Sequence, residues 1–315
     1  VSTIKLNCAT RLAPSPTGAL HLGNARTFLI NWLLARQNGW KIVLRIEDID
    51  GPRIKSGADK SLIDDLQWLG LDWDEGPIYQ TARMPAYREA IDRLIAAGDA
   101  YPCVCSRKEV EQAASAPHAE DGGAVYPGTC RGVYASIAEA RSAAGREPAI
   151  RFRVPDGLVS FQDEFRGQQS FDAACQLGDF VIAKADGTPA YQLAVVVDDV
   201  AMNVTDVIRG DDLVDSTPRQ ILLYRALGWQ SRIPRYTHVP LVVGNDGRRL
   251  AKRHGDTRLS YYRGQGIASE QVLNRLAAWC GIERAGVLTA RDLIGSLDLG
   301  KLSRQSIIFN PEAGI

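Results

Sequence analysis

Apolar and polar positions alternate over residues 4–13 as in a strand, and then the period changes. Residues 20–37 space their apolar side chains at helical intervals, with Gly39 placed to end the helix just past its last turn. The apolar run at 41–46 reads as a second strand. Strand, helix, strand is a βαβ unit, which requires a parallel sheet with a right-handed crossover. Residues 59–69 and 87–97 have helical spacing, with Gly70 and Gly98 as stops.

The character of the chain changes at Tyr101. From there to about residue 146 it is rich in Ala, Gly, Ser and Pro and carries three cysteines. Short strands are predicted at 149–154 and 158–165, separated by turns at 155–157 and closed by one at 166–167. A small α+β insertion therefore interrupts the parallel sheet. The α/β pattern returns with apolar runs at 180–184 and 191–197, followed by a helix over 217–227. Beyond Trp229 the pattern is loop-rich, with an apolar strand at 239–243 and a helix at 269–280. The expected division is a split α/β domain over 1–100 and 180–230, an insertion over 101–179, and a loop-and-helix region over 231–315.

Length and charge narrow the classes. A chain of 315 residues can bury a sizeable core, and 37 basic against 37 acidic residues give no global positive field to advertise a nucleic-acid partner. The N-terminal residues lack a signal-peptide layout, and no apolar run is long enough to span a bilayer. Six unevenly spaced cysteines do not suggest a disulfide scaffold, so a reducing cytoplasm is expected.

Candidate chemistry begins with the stretch RLAPSPTGALHLGN, Arg11 to Asn24. A strand, a Gly-rich turn and a helix start form an anion site, because unpaired backbone N–H groups and the helix dipole converge there. His21 and Gly23 sit where a triphosphate would touch the helix. The stretch has neither a Gly-Lys-Ser/Thr ending nor G-x-G-x-x-G, so both common phosphate loops are excluded. A lone histidine at a helix start is more often a cap. A second basic loop, GRRLAKRH over residues 247–254, changes that balance. Together the two suit a carboxylate attacking the α-phosphate of ATP, a reaction that needs charge stabilisation on the phosphorane and on the departing pyrophosphate.

At this point the chain resembles the class I aminoacyl-tRNA synthetases, the glutamyl branch in particular. Residues His21 to Asn24, in the context of Pro14 and Gly18, are similar to the branch's HIGH signature. Arg249, Leu250, Ala251, Lys252 and Arg253 are similar to its KMSKS signature, departing from it at Arg249 and at Ala251. The resemblance implies a Rossmann-like parallel sheet, ATP contacts from His21, Gly23, Asn24 and Lys252, and a glutamate site drawn from Arg11, Leu12, Ala13, Pro14, Ser15, Glu47, Tyr191 and Arg209. Physical chemistry agrees. A dianionic amino acid wants two guanidiniums, Arg11 and Arg209, since planar forks pair with carboxylates. Its ammonium wants a carboxylate, Glu47, and Tyr191 can add a hydroxyl.

Cys103, Cys105 and Cys130 offer three thiolates for a tetrahedral Zn²⁺, with a fourth ligand to find. His118 is the ordinary choice on chemistry. The wording Cys-x-Cys followed by Tyr-x-x-x-Cys resembles the structural zinc site of a short glutamyl paralogue, which implies Tyr126 instead. Cys8, Cys175 and Cys280 read as core. About sixty residues follow Arg253, too few for a helical anticodon-reading region, so the resemblance is to that short paralogue. It implies a monomeric ligase using ATP with Mg²⁺ and passing L-glutamate to the queuosine base of tRNA(Asp). The rival expectations are a truncated glutamyl enzyme charging the 3′ end of tRNA(Glu), and a non-catalytic zinc-bearing tRNA-binding module.

Overall fold

The structure is a computed structural model that describes residues 8–49, 54–106, 108–110, 125–248, 250, 255–283, 286 and 289–311. The first strand, β1 (Ala9–Leu12), pairs in parallel with β2 (Lys41–Ile46) across the helix α1 (Leu22–Asn38), and β2 pairs in parallel with β3 (Glu75–Tyr79). This is the expected βαβ unit. Gly39 closes α1 in the left-handed region, φ 67°, where a β-carbon would be strained. α1 is buried nearly all round, with Leu22, Leu29, Ile30, Trp32 and Leu33 in the core. Its Asn31 donates to the carbonyl of Arg11 (2.9 Å) and accepts from Thr10 (2.9 Å), tying the helix to β1.

Helices α2 (Ala58–Trp68) and α3 (Met84–Ala96) precede a three-stranded antiparallel sheet of β4 (Ala100–Cys103), β5 (Ala149–Phe152) and β8 (Phe180–Ala183), with α4 (Ile137–Ala144) beside it. A further sheet has the order β7 (Gly167–Asp172), β6 (Leu158–Asp163), β10 (Arg235–Val239), β9 (Asp206–Gly210); β10 runs parallel to β6 and β9. Strand pairing thus crosses both expected boundaries. The β6–β7 hairpin joins a sheet of the α/β body, β8 closes the insertion's sheet, and β10 lies past residue 230. Partner choice is a long-range property that the local period does not carry.

The apolar run at 191–197 begins a helix, α5 (Tyr191–Ala201), because short apolar runs look alike in buried strands and buried helices. The strand expected at 239–243 is split: β10 ends at Val239, and after Pro240, which has no N–H for a ladder, β11 covers Val242–Val243. Helices α6 (Ser216–Ala226), α7 (Leu259–Gly264) and α8 (Ser269–Trp279) complete the body, and β12 (Ile307–Ile308) pairs with β11. Of the three cysteines read as core, Cys280 is buried and Cys8 half-buried, but Cys175 is exposed, in a single turn of helix whose outer side it occupies. No helix among the described residues is long and apolar enough to cross a membrane.

Candidate active site

The turn after β1 delivers His21 to the N-cap of α1 with extended backbone (φ −112°, ψ 164°), and its Nδ1 accepts the N–H of Asn24 at 3.4 Å. Gly23 permits this packing: a β-carbon there would stand 3.2 Å from the imidazole. The chain that follows the basic loop lies along the same turn, with Leu22 N–H donating to Thr257 O and Leu259 N–H to Leu20 O, each at 2.9 Å. On the loop's other side, Gly247 N–H donates to Gly244 O at 2.9 Å, and Leu250 is buried in the core around α1. The two flanks of the basic loop are therefore fixed, one of them against the histidine motif. Arg249, Ala251, Lys252 and Arg253 lie outside the described residues, as does His118.

A cavity of about 600 Å³ opens beside this helix start. Arg11, Ala13, Pro14, Ser15, Gly18, His21, Gly23, Asn24, Glu47, Tyr191 and Arg209 all line it. Leu12 does not. Successive residues of a strand face opposite ways, so Leu12 turns into the core while Arg11 and Ala13 face the cavity. The loop at 14–15 is pinned to the end of β2: Glu47 N–H donates to Pro14 O at 3.0 Å and Ser15 Oγ to Glu47 O at 3.2 Å.

Charge is arranged in two different ways around the cavity. On one side Arg11 Nη1 donates to Ile208 O at 3.3 Å and its Nε lies 3.7 Å from Asp199. Burial pulls the Arg11 pKa below its ordinary value, against Asp199. Beneath it Arg45, fully buried, donates to Asp199 at 2.6 Å and to Glu47 at 3.0 Å, with Asp198 at 3.8 Å. Burial opposes the Arg45 charge, but these carboxylates outweigh it and hold the guanidinium above its ordinary range. Burial likewise raises the Glu47 carboxyl, opposed by Arg45 and Arg11.

On the other side Arg209, 5% exposed, has only neutral acceptors among the described residues: His238 Nε2 (2.9 Å), Thr217 Oγ1 (2.8 Å), Gln220 Oε1 (3.0 Å), Leu213 O (3.3 Å) and the Tyr191 hydroxyl (3.4 Å). Asp163, His238, Thr217 and Gln220 were not anticipated from the sequence. The available signal is a histidine immediately before the apolar run at 239–243, but its partner Asp163 is 75 positions away.

The cysteine cluster forms at the end of β4. The sulfur atoms of Cys103, Cys105 and Cys130 all lie within 4.8 Å of one another. The Tyr126 oxygen is 3.4 Å from Cys103 Sγ and 3.5 Å from Cys105 Sγ, and Cys105 Sγ is 3.4 Å from Cys130 Sγ. A tetrahedral Zn²⁺ with bonds of about 2.3 Å to sulfur sets sulfur atoms about 3.8 Å apart, and the spacing of these three sulfurs with the tyrosine oxygen beside them is compatible with such an ion. Arg151 backs the cluster, its guanidinium 3.8 Å from the Tyr126 ring centroid and its Nε donating to Cys103 Sγ at 3.2 Å.

Comparison with known proteins follows the same lines. The family described as tRNA synthetases class I (E and Q), catalytic domain, matches residues 7–312. A Glutamyl-Q tRNA(Asp) synthetase of Symbiobacterium thermophilum is 48% identical over 307 residues, covering 94% of each chain. A glutamate–tRNA ligase of Geobacter sulfurreducens is 42% identical over 305 residues, covering 96% of this chain and 63% of that protein. Among solved structures, a glutamate tRNA ligase from Elizabethkingia meningosepticum in complex with its amino acid superposes with a TM-score of 0.81 at 28% identity, over 97% of this chain and 68% of that one.

Proposed function

Because the chain belongs to the class I tRNA synthetases of the E and Q type, through their catalytic domain, we propose that it activates L-glutamate with ATP and transfers the glutamyl group to the queuosine base of tRNA(Asp). The observation that carries the glutamate assignment is Arg209: a buried guanidinium whose partners are all neutral, facing a cavity that Arg11 also lines. A buried cation without a counter-ion is costly, and a substrate carboxylate supplies the missing charge. Glu47 takes the ammonium, and Tyr191 adds its hydroxyl. Bound this way, the α-carboxylate is aimed toward the start of α1, which converts binding into orientation for attack on the α-phosphate of ATP. His21, Gly23, Asn24 and the helix dipole stabilise charge on the phosphorane, and Lys252 stabilises the departing pyrophosphate. Mg²⁺ accompanies ATP on charge grounds.

Cys103, Cys105, Tyr126 and Cys130 would hold Zn²⁺. Four protein ligands leave no open position, so the ion would brace the insertion and take no part in the chemistry. We assign the protein to the cytoplasm, where tRNA is found and thiols stay reduced, and expect it to act as a monomer.

The acceptor assignment rests on the Symbiobacterium relative, which is the more similar of the two curated proteins compared. The test has two stages. Glutamate-dependent exchange of pyrophosphate into ATP is expected first. Transfer of labelled glutamate to tRNA(Asp) carrying queuosine, and not to queuosine-free tRNA(Asp), is expected second. Charging of tRNA(Glu) at its 3′ end would overturn the acceptor, and tight tRNA binding with no exchange would overturn catalysis.

A further inference from the structure

Arg209 ends a chain of three side chains from three strands, in which Asp163 holds His238 and His238 holds Arg209. Asp163, at the end of β6, is fully buried and accepts four N–H groups: those of Phe165 (3.0 Å) and Arg166 (2.7 Å), the backbone N–H of His238 (3.2 Å), and His238 Nδ1 (2.6 Å). His238, on β10 and fully buried, then offers Nε2 to Arg209 Nε, on β9, at 2.9 Å. Only one tautomer satisfies both contacts, with the proton on Nδ1 and the lone pair on Nε2. Burial keeps the imidazole below its ordinary pKa, and Arg209 adds to that effect against Asp163.

This arrangement differs in kind from the one beneath Arg11. There Asp199 pairs with guanidiniums directly. At Arg209 the carboxylate is one imidazole removed, so it fixes orientation without occupying the fork. The three short bonds of Arg209, to Thr217, His238 and Gln220, anchor it from behind. Its two longest go to Leu213 O and the Tyr191 hydroxyl, both residues of the cavity wall. Those N–H groups are the ones a carboxylate can take over.

Resting on the glutamate reading above, we propose that Asp163 and His238 are positioning residues that aim the Arg209 fork into the cavity and set the affinity for glutamate without touching it. The β6–β7 hairpin, which follows the cysteine-bearing segment in the chain, thereby contributes to the amino-acid site.

Pyrophosphate exchange measured over glutamate and ATP concentrations tests this. Absence of glutamate-dependent exchange in the unaltered chain would defeat the glutamate reading itself. With that exchange established, His238→Leu should raise KM for glutamate roughly tenfold to a hundredfold, the range for loss of a hydrogen bond to a charged group, and leave KM for ATP within about twofold. His238→Gln presents an acceptor to Arg209 and a donor to Asp163, and should recover most of the loss. An unchanged KM for glutamate in a folded His238→Leu protein would overturn the proposal, as would an equal rise in both KM values. If His238→Leu does not fold, Asp163→Asn takes its place, because an amide cannot accept all four N–H groups that converge on Asp163: a rise in KM for glutamate alone supports the relay, and no rise overturns it.

Discussion

Arg45 and Glu47, two residues apart, share a face where β2 ends, and Arg45 Nη2 meets Glu47 Oε1 at 3.0 Å. The same guanidinium reaches Asp199 at 2.6 Å and Asp198 at 3.8 Å, so one buried cation serves three carboxylates. Removing one partner of a buried pair leaves uncompensated charge, at a cost of about 3–5 kcal/mol. Arg45→Leu is therefore expected to lower unfolding free energy by about that much in urea titrations. An unchanged midpoint would show that Asp198 and Asp199 find other partners.

Glu47→Gln keeps the shape but loses the charge offered to an ammonium. It should raise KM for glutamate by roughly tenfold to a hundredfold. The fold should survive, since the Glu47 backbone contacts to Pro14 and Ser15 do not depend on the side chain, the glutamine oxygen can still accept from Arg45, and Arg45 keeps Asp199 at 2.6 Å. Exchange kinetics beside a thermal melt would separate the two effects.

Asp65, on α2, is fully buried with neither carboxylate oxygen hydrogen-bonded, and Arg263 of α7 stands 3.5 Å away. Burial raises its pKa from 3.8 to about 6, opposed by Arg263. Between those two values the folded protein binds more protons than the unfolded chain, so this group's contribution to stability falls as pH rises through the window and is lost above it. Asp65→Asn should accordingly be more stable than the parent at pH 7, by up to about 3 kcal/mol, with the advantage shrinking toward pH 4. Equal stability differences at both pH values would exclude this origin.

The sequence shows different parts of this site to different degrees. His21 is legible because a cap is local: the group it accepts from is Asn24, three positions on. Arg11, Ser15 and Glu47 are legible because two short segments, one at the end of each of the first two strands, carry the family resemblance. The support of Arg209 is not, since Asp163, Thr217 and His238 come together only when β6, β9 and β10 pair and α6 packs on them. Nor does the chain's hydrophobic period distinguish the 191–197 helix from a strand, because a run of Leu, Ala and Val satisfies both.

Loss of a zinc ligand should act on the insertion before the active site. The parent is expected to hold one Zn²⁺ per chain by elemental analysis, and Cys105→Ser to hold less, with a lower melting temperature. Tyr126→Phe should weaken retention while preserving the ring beneath Arg151, 3.8 Å away. Full zinc content in the phenylalanine variant would assign the fourth position to another donor.

Gly23→Ala isolates the packing of His21. Alanine suits a helix better than glycine by up to about 1 kcal/mol, so stability should hold or rise slightly. The added methyl, however, stands 3.2 Å from the imidazole, tighter than ordinary van der Waals contact, and the ring must shift. That shift stretches the 3.4 Å bond from Asn24 N–H and displaces the ring nitrogens at the cavity wall. The expected signature is a raised KM for ATP, with KM for glutamate nearly unchanged, because Arg11, Glu47 and Arg209 are untouched. His21→Ala should instead lower kcat, by roughly tenfold or more, since it removes a group that acts on the phosphorane. If Gly23→Ala raised both KM values alike, the displacement would have spread through the turn to Ser15, and the two halves of the cavity would be one mechanical unit.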